Sequence, residues 1–190
     1  NGNSIAALGM LIAIVATLLS HNDQINFQMI AIGVTIGAII GATFATKVEM
    51  TQMPQMVAIF NGFGGGASAL IAVADFLSNY DRIVEGLPIP VGNIEIDPPF
   101  YFIIVIFSIF VGTLTFTGSF IAFGKLQGFV SGQPIVFPAQ QIINGILALI
   151  LVAGSSYIVQ NPDMNYFYGV IVISAILGIT LTIPIGGADM

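Results

Sequence analysis

The chain contains no cysteine, one histidine and three Lys+Arg in 190 residues. Each scarcity closes off a class of chemistry. Without cysteine there is no disulfide, no thiolate catalysis and no Cys-ligated metal site within this chain. His21 alone rules out a poly-His metal centre. Three basic residues against a net charge of −6 cannot neutralise a phosphate backbone, which excludes nucleic-acid binding. Only 6% of the residues are charged, against roughly 25% in a soluble domain. Such a chain cannot cover a water-facing surface. The start, NGNSIAALGM, has neither a basic n-region nor an initiator methionine, so no signal peptide is visible. The end, PIGGADM, stops after a loop-like turn. Both ends read as cuts in a longer chain.

What the chain has instead is apolar length: 56% of its residues are hydrophobic. A bilayer core of about 30 Å needs about 20 apolar residues in a helix. On that rule six spans are predicted, at 4–19, 25–46, 53–77, 99–123, 139–159 and 166–183. Backbone groups in lipid must be satisfied internally, and no β-barrel alternation is present. The expectation is an all-α, polytopic transmembrane helix bundle, one domain over residues 1–190. His21-Asn22-Asp23 separates the first two spans. Gly124-Lys125 and Gly132-Gln133-Pro134 open and close the fourth loop, and Asn161-Pro162-Asp163 precedes the last span. The loop over 78–98 is long and acidic, and its LPIPVGNIEI core is read as a short extended segment. One set of connections carries Lys47 and Lys125, the other only Arg82 among many acids. The Lys/Arg bias puts Lys47 and Lys125 in the cytoplasm.

One span is unlike the rest. MPQMVAIFNGFGGGASALIAVA, residues 53–74, has no charge, yet it holds Asn61 followed by Gly62, Gly64, Gly65 and Gly66. Polar groups at membrane depth face a bundle interior or a water-filled path. Glycines there let a neighbouring helix come close. All ionisable residues lie at predicted helix ends or in loops. The spans themselves offer neutral hydrogen-bonders: Asn61, Ser68, Thr113, Thr115, Thr117, Ser119, Asn144 and Ser174. These orient water but hold no proton at pH 7. If protons cross here, a water chain carries them or another subunit supplies the titratable group.

Each feature also has a plainer reading. The Gly62–Gly66 run lies in an apolar span with no preceding strand and no following Lys-Ser/Thr, so close helix packing is preferred to nucleotide binding. Asn61 reads equally well as an interhelical hydrogen bond or as the wall of a water path. Thr113 and Thr117 share a face at i, i+4, with Thr115 pointing elsewhere. Threonines of this kind often bond back to their own helix. Lys47 with Glu49, and Lys125 alone, serve most simply as interfacial anchors. Asp189 reads as a cap or loop acid, and His21 as a solvated loop residue.

KVEMTQMPQMVAIFNGFGGGASALIA, TFTGSFIAFGKLQG and IGGADM, in this order and spacing, resemble the membrane domain of proton-translocating nicotinamide nucleotide transhydrogenase, β subunit. The resemblance covers nearly the whole chain. It implies a domain that couples hydride transfer between NAD(H) and NADP(H) to proton passage across the membrane. No cofactor is expected on this fragment. NADP(H) would bind a soluble domain later in the same chain, and NAD(H) the α subunit. The resemblance further implies an α-subunit partner, a homodimer of αβ units, a bacterial inner membrane, and helices missing at both ends.

By the same resemblance Asn61 stands where many members carry a proton-path histidine. Gln52 and Gln55 stand where many carry acids. Asp189, Glu49 and Lys125 match motifs at the cytoplasmic face and are candidates for coupling to the NADP(H) domain. Thr117, Ser119 and Asn144 are further candidates for the wall beside Asn61. No catalytic residue or metal ligand is assigned. The rival classes are a transporter or channel bundle with no attached enzyme, and a scaffold subunit of a respiratory complex.

Overall fold

The computed structural model describes residues 2–20, 26–92 and 94–190. The predicted break at His21-Asn22-Asp23 lies outside the described residues. The chain packs as two units, residues 1–48 and 49–190.

The first unit holds α1 (Gly2–Ser20) and α2 (Phe27–Lys47). Asn26 caps α2, its side-chain oxygen accepting from the amides of Gln28 and Met29 at 3.1 and 3.2 Å. That satisfies donors the first helical turn cannot. Lys47 sits in the last turn, where its charge suits the helix dipole.

The second unit holds α3 (Met53–Glu85), α4 (Pro98–Leu126), α5 (Gln140–Gln160) and α6 (Met164–Thr182). Short 3-10 turns at Met50–Gln52 and Gly187–Asp189 flank them. Among the described residues, five helical stretches are long and apolar enough to cross a membrane: Phe27–Lys47, Met50–Glu85, Pro98–Leu126, Gln140–Gln160 and Met164–Thr182. The apolar stretch of α1, Ser4–Leu19, is shorter.

Two predicted boundaries move. The loop expected to begin at Ser78 begins at Gly86 instead, because α3 continues to Glu85. Charge marks where lipid ends, not where a helix ends, and no breaker stands between Leu77 and Glu85. Gly86, at φ 70°, adopts the left-handed conformation that stops the helix, and its amide donates to Ile83 O at 3.3 Å. Gly124-Lys125 likewise lies inside the last turn of α4 rather than opening a loop. The LPIPVGNIEI segment forms an antiparallel pair, β1 (Ile89–Val91) and β2 (Ile94–Ile96), in the register Ile89↔Ile96 and Val91↔Ile94.

Polar and aromatic contacts set the helix directions. Residues early in α3 meet residues late in α4, so the two run antiparallel, while α6 runs parallel to α4 and antiparallel to α5. Near the hairpin the core is aromatic. Phe76 stacks on Phe167 at 3.9 Å between centroids and on Phe102 at 5.2 Å, with all three buried.

Further along, glycine replaces the aromatics. A Cβ on Gly112 of α4 would lie 2.7 Å from Gly65 O and 2.8 Å from Ala69 N of α3. A Cβ on Gly118 would lie 2.8 Å from Thr182 Oγ1 and 3.2 Å from Gly178 O of α6. Lipid tails are as apolar as the side chains, so helices in a bilayer are held by such close packing rather than by the hydrophobic effect. The buried residues Gly62, Ala69, Phe76 and Ile83 recur every seventh position along α3. That spacing keeps one stripe of α3 facing α4.

Candidate functional site

Asn61 lies on α3 beside the seam with α4, and its Nδ2 donates to Ser119 Oγ at 2.9 Å. Gly62 makes the approach possible. A Cβ there would lie 3.1 Å from the Phe120 ring and 3.2 Å from Ser119 Cβ. Gly65 and Gly66 continue the close contact, since a Cβ would reach 2.8 Å from Gly112 O and 2.7 Å from the Phe116 ring respectively. Gly64 differs: a Cβ there would meet nothing within 4 Å. It faces away from the packed stripe, so its expected packing role has no partner among the described residues. Ser119 is buried, and Asn61 is exposed along the edge of the seam. An amide and a hydroxyl so placed can hydrogen-bond water but have no group that titrates near pH 7.

The other wall candidates sit elsewhere. Thr117 is two residues from Ser119, about 200° around α4. It faces α6, packs against Gly178 and bonds back to Thr113 O at 3.1 Å. Asn144 belongs to the α5–α6 seam. Its Nδ2 donates to Thr180 O at 3.4 Å, and its Oδ1 is buried with no hydrogen-bond partner among the described residues. Gln140 donates to the same Thr180 carbonyl at 2.8 Å. Four residues expected on one wall therefore occupy three seams.

The end of the unit that carries Lys125 holds the proposed coupling residues. Lys125 is only 4% exposed. Its Nζ donates to Gln133 O at 3.0 Å, Ile183 O at 2.6 Å and Ile185 O at 2.9 Å. Three ammonium donors meet three carbonyl acceptors, two of them just beyond the end of α6, where a cation is favoured. The expected outward-facing anchor is thus turned inward, because these carbonyls have no helical partners. The backbone follows the same tie, with Gly187 N donating to Gly132 O at 2.8 Å.

Asp189 is exposed in the following turn. Glu49 is exposed as well and forms a reciprocal cap with Gln52, whose Oε1 accepts from Glu49 N at 3.4 Å. Gln55 Nε2 donates to Leu126 O at 3.4 Å, leaving its Oε1 buried without a hydrogen-bond partner among the described residues.

Sequence reasoning missed two arrangements. The close-approach glycines of α4 and α6, Gly112, Gly118 and Gly178, give no comparable signal because each is a single glycine rather than part of a run. Near the hairpin, Tyr101 Oη donates to Asp75 Oδ2, and Asn79 Nδ2 donates to Asp75 Oδ1 at 3.2 Å and to Tyr101 Oη at 3.1 Å. In the sequence Asp75 is simply the first charge after the uncharged stretch 53–74.

Comparison with known proteins fits this picture. A family model described as NAD(P) transhydrogenase beta subunit matches residues 1–190. The NAD(P) transhydrogenase subunit beta of Rhodospirillum rubrum is 37% identical over 191 residues, covering 100% of this chain and 39% of the relative. A second sequence of that subunit, from a named strain of the same species, matches with the same figures. The chain therefore spans well under half the length of the curated relatives it matches. The match runs through every helix of both units and includes the Asn61 segment, so the chain belongs to the NAD(P) transhydrogenase beta subunit family.

Proposed function

We propose that residues 1–190 act as one transmembrane proton-translocation domain of a transhydrogenase, coupling hydride transfer between NAD(H) and NADP(H) to proton passage. The observation that carries this reading is the Asn61–Ser119 hydrogen bond in a glycine-opened seam. Water held along that edge would conduct, and nucleotide state would decide which side the path opens to. Hydride transfer itself belongs outside this segment: NADP(H) to a later domain of the same chain, NAD(H) to the α subunit. The assembly is a homodimer of αβ units in a bacterial inner membrane, with the Lys47 and Lys125 connections cytoplasmic by the positive-inside rule. Asp189 and Glu49, both exposed, are the surface residues suited to meet the NADP(H) domain. Lys125 acts behind them by holding the turn that presents Asp189. The family match favours this reading over a transporter bundle with no attached enzyme.

The test is Asn61→Leu in the full αβ enzyme. Proton-coupled turnover should fall while the complex still assembles. Coupling at the wild-type level would remove Asn61 from the path. Asp189→Asn should alter NADP(H) affinity or release, and unchanged nucleotide kinetics would strike it from the coupling surface.

A further inference from the structure

Asn61 and the Asp75 cluster are two ends of one feature. Along α3, Asn61, Ser68, Asp75 and Arg82 recur every seventh residue, and all four are exposed. They form a stripe alongside the buried Gly62, Ala69, Phe76 and Ile83. On α4, Tyr101 and Ser119 lie five whole turns apart on one face, with Ser108 between them. A cross-helix bond closes each end: Asn61 to Ser119 at 2.9 Å, and Tyr101 to Asp75. From Asn61 to Asp75 is about 21 Å along the helix axis. One edge of the α3–α4 seam is therefore polar over most of a bilayer core, and within the second unit it is left uncovered.

Asp75 is the only carboxylate on that edge between the two bonds. Its oxygens are held by Tyr101 from α4 and Asn79 from its own helix. Tyr101, 4% exposed, is the titratable group that α4 turns towards it. Arg82, one heptad further on, gives Nη1 to Pro88 O at 3.0 Å, an acceptor on the hairpin side. A carboxylate fixed by two donors and open on its third side can exchange a proton with water there.

We propose that Asp75, oriented by Tyr101 and Asn79, is the proton-exchange group of this seam at the mouth opposite Lys125. It takes a proton from bulk water on the hairpin side and releases it to water held along the Asn61–Ser119 edge, and the reverse flux retraces these steps. The proposal rests on the proton-translocating reading above. It gives to this chain a titratable group that the spans, read as sequence, left to a partner.

The experiment uses the full αβ complex in proteoliposomes, with the pH on each side varied independently while nucleotide-driven proton transport is followed. In Asp75→Asn, transport should fall by about tenfold or more, within what a positioned acid–base group contributes. Its response to hairpin-side pH should also be lost. Asp75→Glu should restore both. Tyr101→Phe should keep transport but change that pH response, an effect a purely packing role would not produce. Wild-type transport with a wild-type pH response in Asp75→Asn overturns the proposal. So does an assembled Asp75→Glu complex as impaired as Asp75→Asn. If the unmodified complex moves no protons, the underlying functional reading fails first, and the two failures are distinct.

Discussion

Helix α4 has two glycine-lined seams, one with α3 and one with α6, and they use similar residues to opposite ends. Against α3, Gly62, Gly65 and Gly112 remove side-chain bulk, and polar side chains then reach across, Asn61 to Ser119 and Tyr101 to Asp75. Against α6, Gly118 and Gly178 do the same, but the hydroxyls turn back on their own helices. Thr117 bonds to Thr113 O at 3.1 Å and Ser174 to Val170 O at 2.6 Å. The ends differ as well. Lys125 closes the α6 seam by donating to three carbonyls, whereas Gln55, at the same end of the α3 seam, keeps a buried oxygen without a partner among the described residues. Small residues alone make a tight seam. A path also needs polar groups whose bonding capacity is not spent within one helix.

The largest effect should come from opening the closed end. Lys125→Met leaves the Gln133 and Ile185 carbonyls without their donor, while Ile183 O keeps the Ile135 amide, and at about 1–2 kcal/mol for each orphaned carbonyl the unit should lose roughly 2–4 kcal/mol. Thermal unfolding in detergent would read this. An unchanged midpoint would mean that the lysine does not hold the α6 seam shut.

Next in size are the glycines themselves. Gly112→Leu and Gly178→Leu each force a side chain into neighbouring backbone, and each should cost about 1–3 kcal/mol by overpacking. Similar losses at the two positions would support equal packing in the two seams. A loss at only one would break the comparison at its base.

The smallest effects sharpen it most. Ser119→Ala removes a cross-helix bond worth about 0.6 kcal/mol in a membrane protein. Thr117→Val removes a bond to its own helix and should fall within about 0.5 kcal/mol of wild type. Stability is not the discriminating measurement here; proton-coupled turnover is. It should drop in Ser119→Ala and hold in Thr117→Val, and the opposite order would move the path to the α6 seam.

Much of this was legible in the residues. Hydropathy located the long helices, because a bilayer demands a fixed apolar length. Asn61 beside a glycine run marked the seam, because neither residue type suits a lipid-facing helix. The wall candidates were less legible. Thr117 and Ser119 are two residues apart and alike in chemistry, and only the rotation of α4 decides which one meets α3. Asn144 has the same composition signal as Asn61, yet it lies in another seam. Lys125 reads as an anchor because a lysine near a helix end normally reaches water. Its inward turn depends on carbonyls contributed by residues 133, 183 and 185.

By itself the sequence determined that this is an all-α membrane chain whose third span carries a polar spot opened by glycine. Apolar length and residue volume are local properties, and they need no knowledge of neighbours. Tertiary structure alone decided that Asn61 pairs with Ser119, that Lys125 faces inward, and that Asp75 stands on the same edge as Asn61. Each of these is a contact between distant segments, set by how helices rotate and cross when their small residues meet.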